Sequence, residues 1–279
     1  MAARLWTFSG PLLLSGLCGF VLHQADRFFV LGASGTADVG VYGLCYKLGS
    51  IGNALVFEAF ALIWYPFVFG VREEEHLKRL IRAVLVYFTL VMSVVSLALA
   101  LFSPELVRVM ADASFFDAHR GLPLVAAGYL FWSVYQIVST VFFVRERTWM
   151  VSALVAGAAV LNLALNALLV PRMGWMGAAW ATCATFGALA AAAWIVAERA
   201  WRVGHETVRV LTPPAVGIAL YAASCWIDAP APVAAMTIKA GLVLALPGIL
   251  WMSGYLKAEE KDKLRELVRK GRSAAGGRG

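Results

Sequence analysis

Apolar residues in this chain come in long runs separated by short polar breaks. A bilayer core of about 30 Å needs roughly 20 apolar residues per helix. Eight stretches meet that length: 6–31, 40–69, 80–102, 121–144, 149–170, 175–198, 208–227 and 232–256. They are too long and continuous to be barrel strands, and a backbone in lipid must satisfy its own hydrogen bonds. The expectation is therefore an all-α integral membrane protein of about eight transmembrane helices. The segment 103–120, with Pro104, Glu105 and Asp117 among apolar residues, predicts a short amphipathic helix between the third and fourth spans. The first apolar run is too long for a secretory signal and has no small-x-small cleavage site after it, so it is taken as a span.

Composition agrees. Hydrophobic residues make up 61% of 279 and charged residues 15%, against about 45–50% and about 25% in soluble domains. The net charge of +7 does not imply nucleic acid, because the cations sit in short segments between spans and not on a soluble face. With the N-terminus placed in the cytoplasm, 18 of the 24 Lys and Arg residues fall on that side and 6 on the other. The positive-inside rule then puts both termini in the cytoplasm. The tail 257–279 is basic, with Leu264, Leu267 and Val268 at helical spacing, which suits either a solvated helix end or a helix lying on anionic lipid. The cysteines Cys18, Cys45, Cys183 and Cys225 lie in apolar runs without a CxxC pair, and are expected to be reduced and buried.

Ionisable groups inside spans are costly and mark cavities or helix pairings. Asp26 and Arg27 end the first span, and Arg27 is the obvious partner to neutralise Asp26, with ion coupling by Asp26 as the alternative. Lys47 and Glu58 lie eleven residues apart in the second span, which in an unbroken helix returns them to one face about 16 Å apart along the axis. Glu58 is a second candidate for ion coupling. Lys239, in the last span, can snorkel to the interface. In the fourth span Tyr129, Ser133, Gln136 and Thr140 form one polar stripe, expected to line a cavity. Asn162 and Asn166 share a face of the fifth span and are expected to bond between helices. Gly174 and Gly177 allow a tight turn and close helix approach. No Walker-type loop or metal-ligand spacing occurs, so no cofactor, metal or enzymatic constellation is expected.

Two stretches resemble a known family. Phe57-Glu58-Ala59-Phe60-Ala61-Leu62-Ile63-Trp64-Tyr65-Pro66-Phe67 is similar to the end of the eighth span in polysaccharide flippases of the multidrug/oligosaccharidyl-lipid/polysaccharide (MATE-like) exporter superfamily. Asn162 through Asn166, then Pro171-Arg172-Met173-Gly174-Trp175-Met176-Gly177-Ala178-Ala179-Trp180-Ala181-Thr182, resembles that family's N-x-x-x-N, turn and G-A-A-x-A-T sequence. Asp26-Arg27 followed by Val39-Gly40-Val41-Tyr42 is similar to its connection between the seventh and eighth helices.

The resemblance implies that residues 1–204 form the second six-helix bundle of a flippase, 205–256 two additional helices, and 257–279 a cytoplasmic tail. It implies export of polyprenyl-pyrophosphate-linked glycans, such as polysaccharide, lipopolysaccharide or O-antigen units, across the cytoplasmic membrane by alternating access. Arg27 and Lys47 would attract phosphate, Tyr129 and Gln136 would meet sugar hydroxyls, and Ser133, Thr140 and Glu58 would complete the wall. The family's first bundle has no counterpart in the chain, so the expected partner is a separate or missing N-terminal half, or a second copy. The rival expectations are a drug/cation antiporter, which would want an acidic cavity, and a non-transporting membrane subunit, whose polar stripes would be consumed between helices.

Overall fold

The computed structural model describes residues 2–227 and 232–255, and all regular structure in them is helical. The tail 257–279 lies outside the described residues. The helices are α1 (Ala2–Ser34), α2 (Thr36–Gly49), α3 (Glu58–Phe69), α4 (Glu74–Leu101), α5 (Ser103–Met110), α6 (Ala118–Val144), α7 (Thr148–Met173), α8 (Trp175–Trp201), α9 (Thr207–Ser224) and α10 (Pro232–Met252). Each of the eight expected spans is helical, and α2 and α3 form one run of 34 residues. Six of these runs are long and apolar enough to cross a membrane among the described residues: α2–α3, α4, α6, α7, α8 and α10. The chain is a multi-pass membrane protein. The segment after α4 forms α5 and a short 3-10 turn at Ala113–Phe115.

The breaks follow local chemistry. Gly35 has φ 85° between α1 and α2, a backbone that costs a side-chain-bearing residue energy. Gly174 has φ 59° and turns the chain directly from α7 into α8. Helix α4 begins with Glu74 and Glu75 in its first turn, where negative charge offsets the helix dipole.

A π-helical turn at Asn53–Phe57 joins α2 to α3, and the sequence pattern gave no sign of it. Its wider winding offsets α3 from α2 by roughly one residue, about 100° of rotation. Lys47 and Glu58 therefore do not share the single stripe that an unbroken helix would give.

Helices α6 and α8 pack along each other at the centre. Helix α4 and α2 cover α6, α7 covers α8, and α1 lies on α7. The last two helices, α9 and α10, pack on α4 and on one another. In the most apolar stretch of α6, 72% of residues are buried, against 11% for α10, so α6 is core and α10 is periphery. Lipid is as apolar as leucine, so close van der Waals fit and polar contacts hold such a bundle. A Cβ on Gly177 would lie 2.6 Å from the Leu169 backbone, and one on Gly128 would lie 3.3 Å from Cys183 Cα. Absence of side chains at these points is what lets α8 close on α7 and α6.

The described cysteines are free, as the spacing implied, but they are not all buried. Cys45 is buried, Cys18 and Cys183 are half-buried, and Cys225 is exposed at the end of α9. An apolar run in lipid can leave a side chain on its outer face at no cost, so hydropathy did not reveal this.

Candidate functional site

Asp26 is fully buried. Its Oδ2 accepts hydrogen bonds from the Tyr42 hydroxyl at 2.6 Å and the Thr182 hydroxyl at 2.7 Å. Its Oδ1 accepts from Asn166 Nδ2 at 2.8 Å. One carboxylate thus ties α1 to α2, α7 and α8. Tyr42 and Thr182 also approach each other, at 3.2 Å. Asn166 Nδ2 reaches the Asn162 carbonyl and Asn162 Oδ1 at 3.0 and 3.1 Å. Asn162 Nδ2 and Asn166 Oδ1 are buried without a hydrogen-bond partner among the described residues. A buried amide left unsatisfied is uncommon, and marks spare donor and acceptor capacity beside the carboxylate.

Arg27 and Asp26 make no direct hydrogen bond or ion pair among the described residues, although their charges still feel each other. Neighbours in a helix point about 100° apart, and while Asp26 faces the core, Arg27 turns outward. Its guanidinium donates to the His23 carbonyl and to Gln24 Oε1 and lies over the Tyr46 ring at 5.2 Å. Tyr46 in turn bonds His23 Nδ1 at 2.7 Å. His23 is packed among Tyr129, Trp132 and Phe186, with its ring 4.8 Å from that of Trp132.

Lys47, next to Tyr46, is exposed on α2, and Glu58 is exposed at the start of α3. The π turn presents Asn53 between α3 and α6. Asn53 donates to Glu58 Oε1 at 3.3 Å and accepts from Gln136 Nε2 at 3.2 Å. The expected stripe on α6 is mostly consumed in packing. Tyr129, Ser133 and Thr140 are buried. Ser133 bonds the Leu130 carbonyl, and Thr140 accepts from Trp64 Nε1 and donates to the Gln136 carbonyl. Only Gln136 of the four stays partly open. The stripe is real as a helical register, but α6 is so central that neighbouring helices cover most of it.

The polar residues therefore divide between the core and the outer faces of the helices. Asp26, Tyr42, Asn162, Asn166 and Thr182 form an inner knot. Outside it, Arg27 lies over Tyr46, next in sequence to exposed Lys47, while Gln136, Asn53 and Glu58 form a separate chain of hydrogen bonds between α6 and α3. Helices α1 and α3 also carry large exposed apolar residues, among them Leu13, Leu17, Phe20, Leu62 and Ile63. Lys239, expected to be structural, pairs with Glu105 at 2.7 Å at the far edge of the bundle. The sequence reading missed Tyr42, Asn53 and Thr182 as site residues. Tyr42 and Thr182 stand in the stretches that carried the family resemblance, which was the signal available for them.

Residues 67–247 match the family described as lipid II flippase MurJ, a stretch that runs from the end of α3 into α10. The chain belongs to the MurJ family. That family is one of flippases and not of enzymes. Residues 1–119 also match a polysaccharide biosynthesis protein family. The two matches overlap in α4 and α5, and the Asp26 knot draws residues from both. None of the curated proteins matches the chain, and none of the solved structures does.

Proposed function

We propose that this MurJ-family chain moves a polyprenyl-pyrophosphate-linked glycan, of which lipid II is one, from the inner to the outer leaflet by alternating access. The observations that support this most are the outward-turned cations Arg27 and exposed Lys47, the partly open Gln136–Asn53–Glu58 chain of hydrogen bonds, and the large exposed apolar residues of α1 and α3. A second six-helix bundle, from a partner or another copy, would close the cavity against α1 and α3. In this reading α1 and α9 also cross the membrane, both termini are cytoplasmic, and the cavity lies between bundles. The two cations would hold pyrophosphate, and Gln136 would offer its amide to sugar hydroxyls.

Of the two candidate coupling carboxylates, Asp26 is the better placed. A proton or monovalent cation taken up there would change contacts to α2, α7 and α8 together, with the spare Asn166 carbonyl as a further oxygen ligand. Glu58 opens outward, accepts from Asn53 and lies within electrostatic reach of Tyr65. A drug/cation antiporter would want an acidic wall, whereas this one carries two cations against one carboxylate. The burial of Tyr129, Ser133 and Thr140 favours the rival reading of a non-transporting subunit, and the test separates the two. Replacing Arg27 and Lys47 together by glutamate, in the producing cell and with its full complement of partners, should lower glycan delivery to the outer leaflet at least tenfold at unchanged protein level. Delivery that persists with both charges reversed would defeat the assignment.

A further inference from the structure

At the end of the bundle where α4 and α9 stop and α6 and α10 begin, the helices leave an open cavity of about 410 Å³. Its wall includes Ser103, His119, Arg120, Ser224 and Lys239. Arg120 lies in the first turn of α6, where the helix dipole already favours an anion and a cation is out of place. Its side chain has no hydrogen bond or ion pair among the described residues. Lys239 gives two ammonium protons to the Glu105 carboxylate, at 2.7 and 2.9 Å. An ammonium has three donors, so one remains for a ligand. Among the described residues, Glu105 offsets Lys239, and the excess charge facing the cavity is that of Arg120.

The cavity does not end in a polar floor. Ala100 and Tyr221 also line a second cleft, which descends the seam of α4, α6 and α9 along Leu97, Leu130 and Ile218 and is almost wholly apolar. A cationic mouth that continues into an apolar groove matches an amphiphile with an anionic head. The mouth lies next to Trp226, which is 89% exposed, as tryptophans at the water–lipid boundary are.

We infer that this cavity binds the phosphate of an anionic phospholipid, through Arg120 and Lys239, with an acyl chain along the α4–α9 seam. The site lies away from the polar residues of α1–α3, and the inference stands whether or not the export reading holds. Anchored there, a lipid would join α9 and α10 to the six-helix bundle.

Cys225 lines the same cavity and is exposed, so its alkylation rate, followed by peptide mass spectrometry on the full chain, reports occupancy. In phosphatidylglycerol nanodiscs the rate should be at least threefold lower than in phosphatidylcholine nanodiscs. Arg120→Glu, an exposed position that does not disturb packing, should abolish the difference, and Arg120→Lys should keep most of it. Protection by inorganic phosphate in detergent would keep the phosphate site but assign it to a soluble anion. Equal rates in the two lipids, or a difference that survives Arg120→Glu, would overturn the proposal.

Discussion

Removing the Asp26 carboxyl tests whether the inner knot holds the bundle together. Asp26→Ala deletes three hydrogen bonds, from Tyr42, Thr182 and Asn166 at 2.6, 2.7 and 2.8 Å. Breaking a buried charged network in a soluble protein costs about 3–5 kcal/mol. Hydrogen bonds inside membrane proteins average only about 0.6 kcal/mol in measured cycles, which sets a floor near 2 kcal/mol for three. Two features pull the expectation toward that floor. Tyr42 and Thr182, 3.2 Å apart, can bond each other, and Asn166 keeps its contacts to Asn162. The expected loss is about 2–3 kcal/mol.

Asp26→Asn should cost less, about 1–2 kcal/mol. Its carbonyl can still accept from Tyr42 and Thr182, but its amine meets the Asn166 amine. Flipping Asn166 would turn its oxygen onto the Asn162 backbone carbonyl, a repulsion that Asn162 could offset only in part by turning its unpartnered Nδ2 toward it. Unfolding in detergent, read by a thiol-reactive dye at the fully buried Cys45, measures both variants. A double-mutant cycle with Asn166→Ala should return a coupling of about 1 kcal/mol. A loss under about 0.5 kcal/mol for Asp26→Ala, or no coupling to Asn166, would refute the reasoning.

Gly177→Ala should destabilise by about 1–3 kcal/mol, although glycine-to-alanine changes in helices usually stabilise. The added carbon would meet the Leu169 backbone at 2.6 Å, which cannot swing aside as a side chain could, and thermal unfolding decides the sign. His205 lies in the α8–α9 connection, paired with Glu198 at 2.8 Å. Burial holds its pKa below the ordinary 6.5, Arg82 adds to this, and Glu198 opposes it. The unfolded chain therefore takes up a proton near pH 6.5 that the folded chain refuses. The contribution of His205 should be fully present above that pH and lost as pH falls toward its folded value. Melting curves from pH 8 to 5 should show a slope that His205→Gln reduces, and an unchanged slope would count against it.

Sequence alone established the elements. A 20-residue apolar run partitions into lipid as a unit, so span positions follow from local content and needed no knowledge of neighbours. The tight turn at Gly174 was legible from the residue type, and the motifs around Trp64 and Gly177 were enough to indicate the family. Register was legible too, since Tyr129, Ser133, Gln136 and Thr140 do share a face. What that face meets was not. It depends on α6 being the central helix, which hydropathy does not encode, because lipid and a neighbouring helix are equally apolar. Asp26 bonds residues 140 and 156 positions away, and no local pattern sets those distances. Only the packed bundle turned Asp26 inward and Arg27 outward, and only the π turn at Asn53–Phe57 brought Asn53 between Glu58 and Gln136.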